Sequence, residues 1–208
     1  SSSSAASDVY KRQLTHSSVY GLYCDRKGNI WVGTYYGGVN YFSPAHDKFL
    51  NFNYTGFVPE GLSRSIIKDI VSDKEGNIWL ATDGAGIWSL DNNWKVRENI
   101  SSMTAGRALR QNNVRAMVYD STRHKLYIGT HLGGLSIYDI ERRSMLNLID
   151  NAKFQSYPGK IIYNLKIYGD NLYISSSSGL SCMNLSTGYI KSIKTPVKPK
   201  IFDIDTSG

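Results

Sequence analysis

Short apolar segments alternate with short polar turns along the chain, and one such arrangement recurs. The first copy reads VYGLYCDRKGNIWVGTYYGGVNYFS from Val19, and the second reads IKDIVSDKEGNIWLATDGAGIWSLD from Ile67. The third copy, VRAMVYDSTRHKLYIGTHLGGLSIYD, begins at Val114, and the fourth, IYNLKIYGDNLYISSSSGLSCMNL, begins at Ile162. A fifth copy begins at Ile201 with IFDIDTSG. Repetition at this period indicates a repeat architecture.

Each copy predicts four short strands, A to D, because apolar residues recur at every second or third position and Gly-containing turns separate the strands. In the first copy these are Val19–Tyr23, Ile30–Thr34, Val39–Phe42 and the weaker Phe49–Tyr54. The weaker strand D of the third copy is Met145–Ile149. No segment shows a helical period. Tandem four-stranded units of about 40–50 residues are typical of a β-propeller, so we predict an all-β fold with four four-stranded blades and the start of a fifth.

Glycines and aromatic residues recur at matching positions of the copies. The matching aromatic residues are spaced by 48, 48 and 46 residues. We expect each ring, on strand B, to fill the space between neighbouring blades, and each glycine to serve backbone geometry. The residues of this structural motif are Gly28, Trp31, Gly33, Gly76, Trp79, Tyr127, Gly129 and Tyr173.

The two ends of the chain differ from this pattern. Residues 3–13, SSAASDVYKRQ, resemble the in-frame translation of an adapter used to make sequencing libraries. We therefore expect residues 1–13 to be non-native and residues 14–208 to be a partial β-propeller, which alone forms an arc with a gap or aggregates when expressed. The predicted blades lie near residues 17–55, 64–100, 112–150 and 159–195, and the start of the next lies at 200–208.

Composition narrows the class of protein. Hydrophobic residues make up 41% of the chain and charged residues 20%, which excludes disordered, collagenous and coiled-coil proteins. The net charge is +7, but the cations are scattered, so the sequence favours a mildly basic surface and no nucleic-acid contact. The two cysteines, Cys24 and Cys182, lack metal-ligand spacing, so we predict no metal, no cofactor and a packed position for both.

The segments GNIWVGT-x-x-GGV of the first copy and EGNIWLATDGAGI of the second closely resemble the two-component regulator propeller repeat. The third copy departs from it, with Tyr127 in place of Trp and a longer turn, STRHK, and the fourth has SSSSG where the family has GT-x-x-G. The resemblance covers about residues 14–208. It implies seven-bladed propellers, usually two in tandem, in the periplasmic sensor region of hybrid two-component histidine kinases of Bacteroidetes.

In such proteins a tyrosine-rich β-sandwich, a membrane helix and a histidine kinase follow the propellers. The resemblance therefore implies membrane attachment through a part that follows this segment, a homodimer in the full-length protein and a periplasmic location.

The blade geometry predicts where a ligand binds. In an antiparallel blade the A–B and C–D turns emerge on one face, and the B–C and D–A connections emerge on the other. The varied residues concentrate on the second face, and Tyr with Arg, Asp, Asn and His suits a sugar. We expect ligand contacts from Tyr35, Tyr36, Arg64, Asp83, Arg110, Asn112, His131 and Tyr157.

The same connections are basic, which would suit an anionic oligosaccharide such as a uronate or a sulfated sugar. The cations concerned are Arg64, Lys68, Arg107, Arg110, Arg115 and Lys160.

The sequence is compatible with three functions. The first is a sensor module that binds an oligosaccharide from polysaccharide breakdown. The second is a glycan lyase or hydrolase; since hydrolysis usually needs two carboxylates and only Asp83 stands in the ligand-facing loops, we predict no catalytic residue and no enzymatic activity in this segment. The third is a stand-alone propeller that acts as a protein-interaction scaffold, although the GH…WD pattern of WD repeats is absent.

Overall fold

The computed structural model describes residues 14–44, 48–51, 62, 65–151 and 159–205. These residues form four four-stranded sheets, and within every sheet the strands pair antiparallel in chain order. Each sheet is thus a simple meander, which is the form of a propeller blade. The prediction of an all-β fold with four four-stranded blades is confirmed.

The strands are numbered here in chain order. The first blade contains β1 (Val19–Cys24), β2 (Ile30–Thr34), β3 (Val39–Ser43) and β4 (Lys48–Asn51). The second contains β5 (Ile66–Ser72), β6 (Ile78–Asp83), β7 (Ile87–Leu90) and β8 (Val96–Ile100). The third contains β9 (Val114–Asp120), β10 (Lys125–Thr130), β11 (Leu135–Asp139) and β12 (Ser144–Asn147). The fourth contains β13 (Ile162–Tyr168), β14 (Asn171–Ser176), β15 (Gly179–Asn184) and β16 (Ile190–Ile193).

Strand D is where the predicted bounds fail. The prediction for the third copy is wrong at its end, because β12 stops at Asn147 and a 3-10 turn spans Leu148–Asp150, which buries the Leu148 side chain. In the first copy, positions 52–54 lie outside the described residues. Residues 201–205, where a fifth copy begins, form no strand, since a strand needs a hydrogen-bonding neighbour and the described part of the chain offers them none.

Three apolar clusters hold the blades together, one between each pair of neighbours. In each cluster the ring on the second strand of one blade meets apolar side chains from the next blade. The clusters pair Trp31 with Ile70, Trp79 with Leu126, and Tyr127 with Leu165. Burying a ring of this size contributes roughly 2–3 kcal/mol to the stability of the fold, so these rings stabilise the packing of neighbouring blades. Tyr173, the equivalent ring of the fourth blade, is only half-buried.

Two glycines permit the close approach of neighbouring blades. A Cβ added at Gly33 would lie 2.7 Å from the side chain of Ile67, and one at Gly129 would lie 2.4 Å from that of Ile162. Both glycines lie on the second strand of a blade, and both isoleucines lie on the first strand of the next. Any larger residue at these positions would push the blades apart.

The A–B turns are fastened to the buried rings. In the second blade, Asp73 accepts hydrogen bonds from the backbone N–H of Asn77 (2.9 Å) and from Nε1 of Trp79 (2.9 Å). Asp25 in the first blade accepts the same pair of bonds, from Asn29 at 3.0 Å and from Trp31 at 3.1 Å. The Asp of this turn is therefore a structural acceptor.

The two cysteines have different surroundings. Cys182 on β15 is buried, whereas Cys24, at the turn that ends β1, is exposed. The expectation that both are packed is wrong for Cys24, because the end of β1 lies at the rim of the blade.

Candidate functional site at the B–C turns

The first strand of every blade contains a β-bulge near its start. The pairing with the second strand skips one residue between Val19 and Gly21, and the other three blades repeat this irregularity at the equivalent position. A bulge leaves its extra residue unpaired and re-aims the side chain. The skipped residues, called the bulge residues below, are Tyr20, Lys68, Arg115 and Tyr163.

In three blades the bulge residue lies beside the residue at which the B–C turn begins. This residue directly follows a threonine of the second strand. In the first blade the rings of Tyr20 and Tyr35 have centroids 6.0 Å apart. In the second, Lys68 Nζ lies 3.5 Å from Asp83 Oδ2. In the third, Arg115 Nη1 donates to His131 Nδ1 at 3.1 Å. One position of the first strand is thus coupled to one position of the B–C turn.

Contacts between blades connect the bulge residues in two pairs. Lys68 Nζ lies 4.0 Å from the ring centroid of Tyr20, and Arg115 Cζ lies 5.6 Å from that of Tyr163. Both distances fall within the range of cation–π attraction. The first strands of neighbouring blades contact each other, so the bulge residues form a row along the inner edge of the B–C face.

The B–C turns present exposed side chains from strained backbone. Tyr36 (φ 52°) and Leu132 (φ 75°) adopt the left-handed conformation, where the second blade has Gly84 (φ 103°). The Tyr36 side chain is 62% exposed and packs edge to face against Tyr35, with ring centroids 4.5 Å apart. A non-glycine residue in this conformation costs of order 1–2 kcal/mol, and such strain is commonly found at functional sites.

The bases of these turns are rigidly held. The strand-end threonine of each of the first three blades is buried and donates its hydroxyl to a glycine carbonyl across the turn. The pairs are Thr34 with Gly38 (3.1 Å), Thr82 with Gly86 (2.7 Å) and Thr130 with Gly134 (3.0 Å). The exposed residues are therefore presented from a fixed scaffold.

The structure brings several of the sequence-predicted ligand residues together. Tyr35 packs against Tyr36 and lies close enough to Asp83 to feel its charge, and Asp83 pairs with Lys68. The neighbouring phenol of Tyr36 is the main cause that raises the pKa of Tyr35, so this hydroxyl is neutral and able to donate at physiological pH. His131 lies beside Arg115 at the third blade.

Other predicted residues are engaged elsewhere or cannot be placed. Asn112 supports the fold, because its carbonyl accepts from the N–H groups of Gly84 and Gly86 and its Oδ1 accepts from that of Ser102 at 2.6 Å. Arg110 donates through Nε to Asp150 Oδ2 at 2.6 Å. Positions 64 and 157, where Arg64 and Tyr157 were predicted to bind, lie outside the described residues.

Sequence reasoning missed two of the bulge residues and misplaced two. Tyr20 and Tyr163 were not among the predicted ligand residues, and Lys68 and Arg115 were assigned to the D–A connections although they belong to β5 and β9. The signal was present in the repeat, since all four follow an apolar residue at or near the start of the first strand. A bulge was not predicted there, because strict strand alternation gives no indication of an extra residue.

Some of the basic side chains on this face form ion pairs with carboxylates, and others do not. Lys68 pairs with Asp83, Arg110 with Asp150, and Arg107 Nη2 with Glu98 at 2.9 Å. Within the described residues, no carboxylate oxygen lies within 4 Å of Arg115 or of Lys160.

A cleft of about 260 Å³ lies on the opposite face, between the A–B turns of the first two blades. Its apolar lining includes Trp31, Tyr41 and Trp94, which pack against one another with centroids 3.7 to 4.9 Å apart. The carboxylates of Asp25 and Asp73 at its rim already accept hydrogen bonds from their own turns. These two carboxylates therefore serve the fold of their turns.

Neither a metal centre nor a membrane-crossing helix is found in the ranges that the structure describes. Across these ranges, no three His, Cys, Asp or Glu side chains lie close enough together to hold a metal ion. The same residues contain no helix long and apolar enough to cross a membrane.

Two segments of the chain match a known repeat family. Residues 13–36 and 61–84 match the family described as two component regulator propeller. Each matched segment spans a first strand, a second strand and part of the B–C turn, so together they include Tyr20, Tyr35, Lys68 and Asp83. No curated protein sequence matches the chain.

Solved structures share the fold. The extracellular domain of a hybrid two-component system from B. thetaiotaomicron is 23% identical with a TM-score of 0.71, over 86% of this chain and 23% of that one. The extracellular domain of a second such system from the same organism is 18% identical with a TM-score of 0.71, over 89% and 25%. Virginiamycin B lyase from Staphylococcus aureus is 13% identical with a TM-score of 0.62, over 88% and 57%.

The chain thus spans about a quarter of the length of the two extracellular domains. At these identities the likeness shows the β-propeller fold alone. The chain is thus a propeller akin to the extracellular regions of hybrid two-component systems, and two of its segments match the two component regulator propeller repeat.

Proposed function

We propose that the chain is part of the ligand-sensing propeller of a membrane-bound hybrid two-component sensor histidine kinase, that it lies in the periplasm, and that it detects an oligosaccharide released from polysaccharides. The observation that carries this proposal is the row of bulge residues beside the exposed B–C turns. Every blade contributes one such residue, and bulges of this kind re-aim side chains at functional sites.

The chemistry of this row suits a sugar. At the first blade, Tyr20, Tyr35 and Tyr36 are all exposed and lie ring to ring. Aromatic faces pack against the apolar faces of sugar rings, and phenol hydroxyls exchange hydrogen bonds with sugar hydroxyls. Beside them the pair Lys68 and Asp83 supplies one donor and one acceptor group.

Binding would act on signalling through the arrangement of a dimer. A ligand shifts a conformational equilibrium only by its differential affinity for the two states. An oligosaccharide that contacts residues of several blades, or of a blade and a neighbouring domain, has such a preference for one arrangement. The kinase that reads this arrangement would belong to another part of the parent protein.

Isothermal titration of the chain with defined oligosaccharides tests the proposal. We expect at least one to bind, and we expect Tyr35→Ala to weaken it by about tenfold, since stacking on a ring contributes roughly 1–1.5 kcal/mol. Tyr189→Ala is the matched control, because Tyr189 is also exposed but lies between β15 and β16, on the C–D side. Absence of any binding, or an equal loss in both variants, would contradict the proposal.

The source reading frame tests the sensor context. We expect a signal peptide, further repeats, a tyrosine-rich sandwich, one membrane helix and a histidine kinase. A stop codon directly after the propeller would instead favour a free propeller that acts as a scaffold or a lyase.

A further inference from the structure

The bulge residue of the third blade differs from that of the second in how its charge is neutralised. Lys68 has the Asp83 carboxylate 3.5 Å away. At the position equivalent to Asp83, the third blade has His131, whose Nδ1 accepts from Arg115 Nη1 at 3.1 Å. Because His131 brings no carboxylate, the positive charge of the Arg115 guanidinium has no anionic partner among the described residues.

Arg115 also keeps unused donors. Across the described ranges, the contact with His131 is the one hydrogen bond that its guanidinium makes. Arginine has five N–H donors in a fixed fork, so a bidentate edge stays available. A neutral His131 that accepts at Nδ1 carries its proton on Nε2, which provides one more donor nearby.

A second cation and a ring complete the cluster. Lys200 Nζ lies 5.9 Å from the ring centroid of Tyr163, whose other cationic neighbour is Arg115 at 5.6 Å. Within the described residues, Lys200 has no carboxylate oxygen within 4 Å. Lys198 lies in the same segment and donates to the Ser177 carbonyl at 3.4 Å. The nearby ion pair of Lys166 with Asp203, at 3.3 Å, is internally neutral, so the cluster as a whole is positive.

We infer that Arg115, His131, Tyr163 and Lys200 form a subsite for the acidic group of a sugar, a carboxylate or a sulfate. The Arg115 fork binds the anionic group, Lys200 adds a second charge, and the Tyr163 ring packs against the sugar that carries the group. The inference rests on the proposed function, because it places one acidic residue of the bound oligosaccharide at this end of the row of bulge residues.

Matched probes separate charge from sugar. The chain is titrated with tetragalacturonate, with the same tetramer fully methyl-esterified, with a sulfated galactan tetrasaccharide, and with inorganic sulfate alone. We expect one of the two acidic tetrasaccharides to bind at least about tenfold more tightly than the neutral ester, since a charge-assisted hydrogen bond contributes roughly 1.5–3 kcal/mol. That advantage should shrink as salt is raised.

Two charge-removing variants locate the subsite. Arg115→Gln should weaken the acidic probe by roughly ten- to a hundredfold and leave the neutral ester unchanged within about twofold. Arg110→Gln is the control, because it removes the same charge from the same face but Arg110 is already paired with Asp150. Arg115→Lys, which keeps the charge but not the fork, should fall between wild type and Arg115→Gln. Thermal melting of each variant shows whether it is folded.

Each outcome decides one claim. Binding of neutral and acidic tetramers with equal affinity overturns the acidic subsite and leaves the proposed sugar-binding face standing. Inorganic sulfate that binds as tightly as the sulfated tetrasaccharide overturns the inference too, because the site would then take any anion. Equal losses in Arg115→Gln and Arg110→Gln would place the acidic group elsewhere. Failure of every oligosaccharide to bind removes the proposed function, and the inference with it.

Discussion

At the scale of single residues, Asp69 is a carboxylate held between two blades. Its Oδ2 accepts from the N–H of Met117 in the next blade at 2.8 Å, and its Oδ1 accepts from that of Ile70 at 2.9 Å. Burial nevertheless dominates and raises the pKa of Asp69 from 3.8 to about 6. The ionised form is therefore disfavoured in the folded state, and Asp69 contributes most stability when it is protonated.

The sign of the pH dependence follows from that shift. The contribution of Asp69 is fully present below its unfolded pKa of 3.8 and is lost as the pH rises through about 6. The loss amounts to at most about 3 kcal/mol at neutral pH. Asp69→Asn removes the charge but keeps an acceptor for Met117, and the fourth blade has Asn164 at the equivalent position.

We predict that Asp69→Asn melts at a higher temperature than wild type at pH 7.5 and that this difference disappears at pH 4. Melting curves of both proteins across this range measure it. Asp69→Ala, which lacks the acceptor, should be less stable than Asp69→Asn at every pH. A wild type that exceeds the Asn variant more at pH 7.5 than at pH 4 would show that the buried charge is stabilising.

Tyr36 gives a second prediction, in which stability and binding move in opposite directions. Tyr36→Gly should raise the free energy of unfolding by about 0.5–1 kcal/mol, because relief of the φ of 52° outweighs the added freedom of the unfolded chain. The same change should weaken oligosaccharide binding, because the exposed ring is lost. Urea unfolding and titration measure the two effects. Leu132→Gly relieves a φ of 75° in the third blade and is the control for the stability change. A Tyr36→Gly protein that binds the oligosaccharide as well as wild type would exclude a role for the Tyr36 ring.

At the scale of elements, the A–B turns can be tested through their aspartates. Asp73→Ala should cost about 2–4 kcal/mol, because Asp73 is buried and its loss leaves Trp79 Nε1 without a partner. Asp25→Ala removes the same bonds from a more exposed turn and should cost about half as much. Urea unfolding followed by tryptophan fluorescence compares the two, and equal small losses would show that these turns do not depend on their Asp.

The elements also show how far sequence reasoning reaches. Strand β2 begins and ends where the pattern predicts, Ile30–Thr34, because alternation, a Gly turn and a ring all agree there. The strand D of the third copy was mispredicted at Leu148, since an apolar residue can be buried equally well by a strand or by a 3-10 turn. The bulge at Arg115 depends on the pairing partner, which no local pattern specifies.

The candidate site was predictable in part. Tyr35, Asp83 and His131 were identified from their position in a B–C turn, because loops on a rigid scaffold carry binding residues. Their partners on the first strands were not, because a strand residue next to apolar neighbours gives no sign that it points out of the sheet. The unequal neutralisation of Lys68 and Arg115 is likewise a matter of distance, which only the structure provides.

At the scale of the molecule, the outer face of the first blade is uncovered. Leu22 is 72% exposed, whereas its equivalents Ile70, Met117 and Leu165 are 3%, 3% and 5% exposed. On the far side of the fourth blade, the buried Asn164 Oδ1 has no hydrogen-bond partner within the described residues, although its equivalent Asp69 accepts from the next blade. The first and fourth blades therefore each have a face that would fit another blade of the same repeat.

We predict that the chain self-associates through these faces and that Leu22→Glu reduces this association. Light scattering coupled to gel filtration at several concentrations measures the effect. Ile70→Glu is the contrasting variant: it places the same charge inside the first interblade cluster and should prevent folding. A chain that stays monomeric at high concentration, with or without the Leu22 change, would contradict this prediction.

The central claim is that the ligand binds to the face that carries the B–C turns, and not to the opposite face, which carries the A–B and C–D turns. Hydrogen–deuterium exchange measured with and without the tightest-binding oligosaccharide of the panel tests it most directly. We predict slower exchange in the B–C turns, at residues 35–38, 83–86 and 131–134, and in the bulges of β1, β5, β9 and β13. Slower exchange confined to residues 25–29, 73–77 and 91–94, around the cleft between the first two blades, would contradict the claim and assign the ligand to the opposite face.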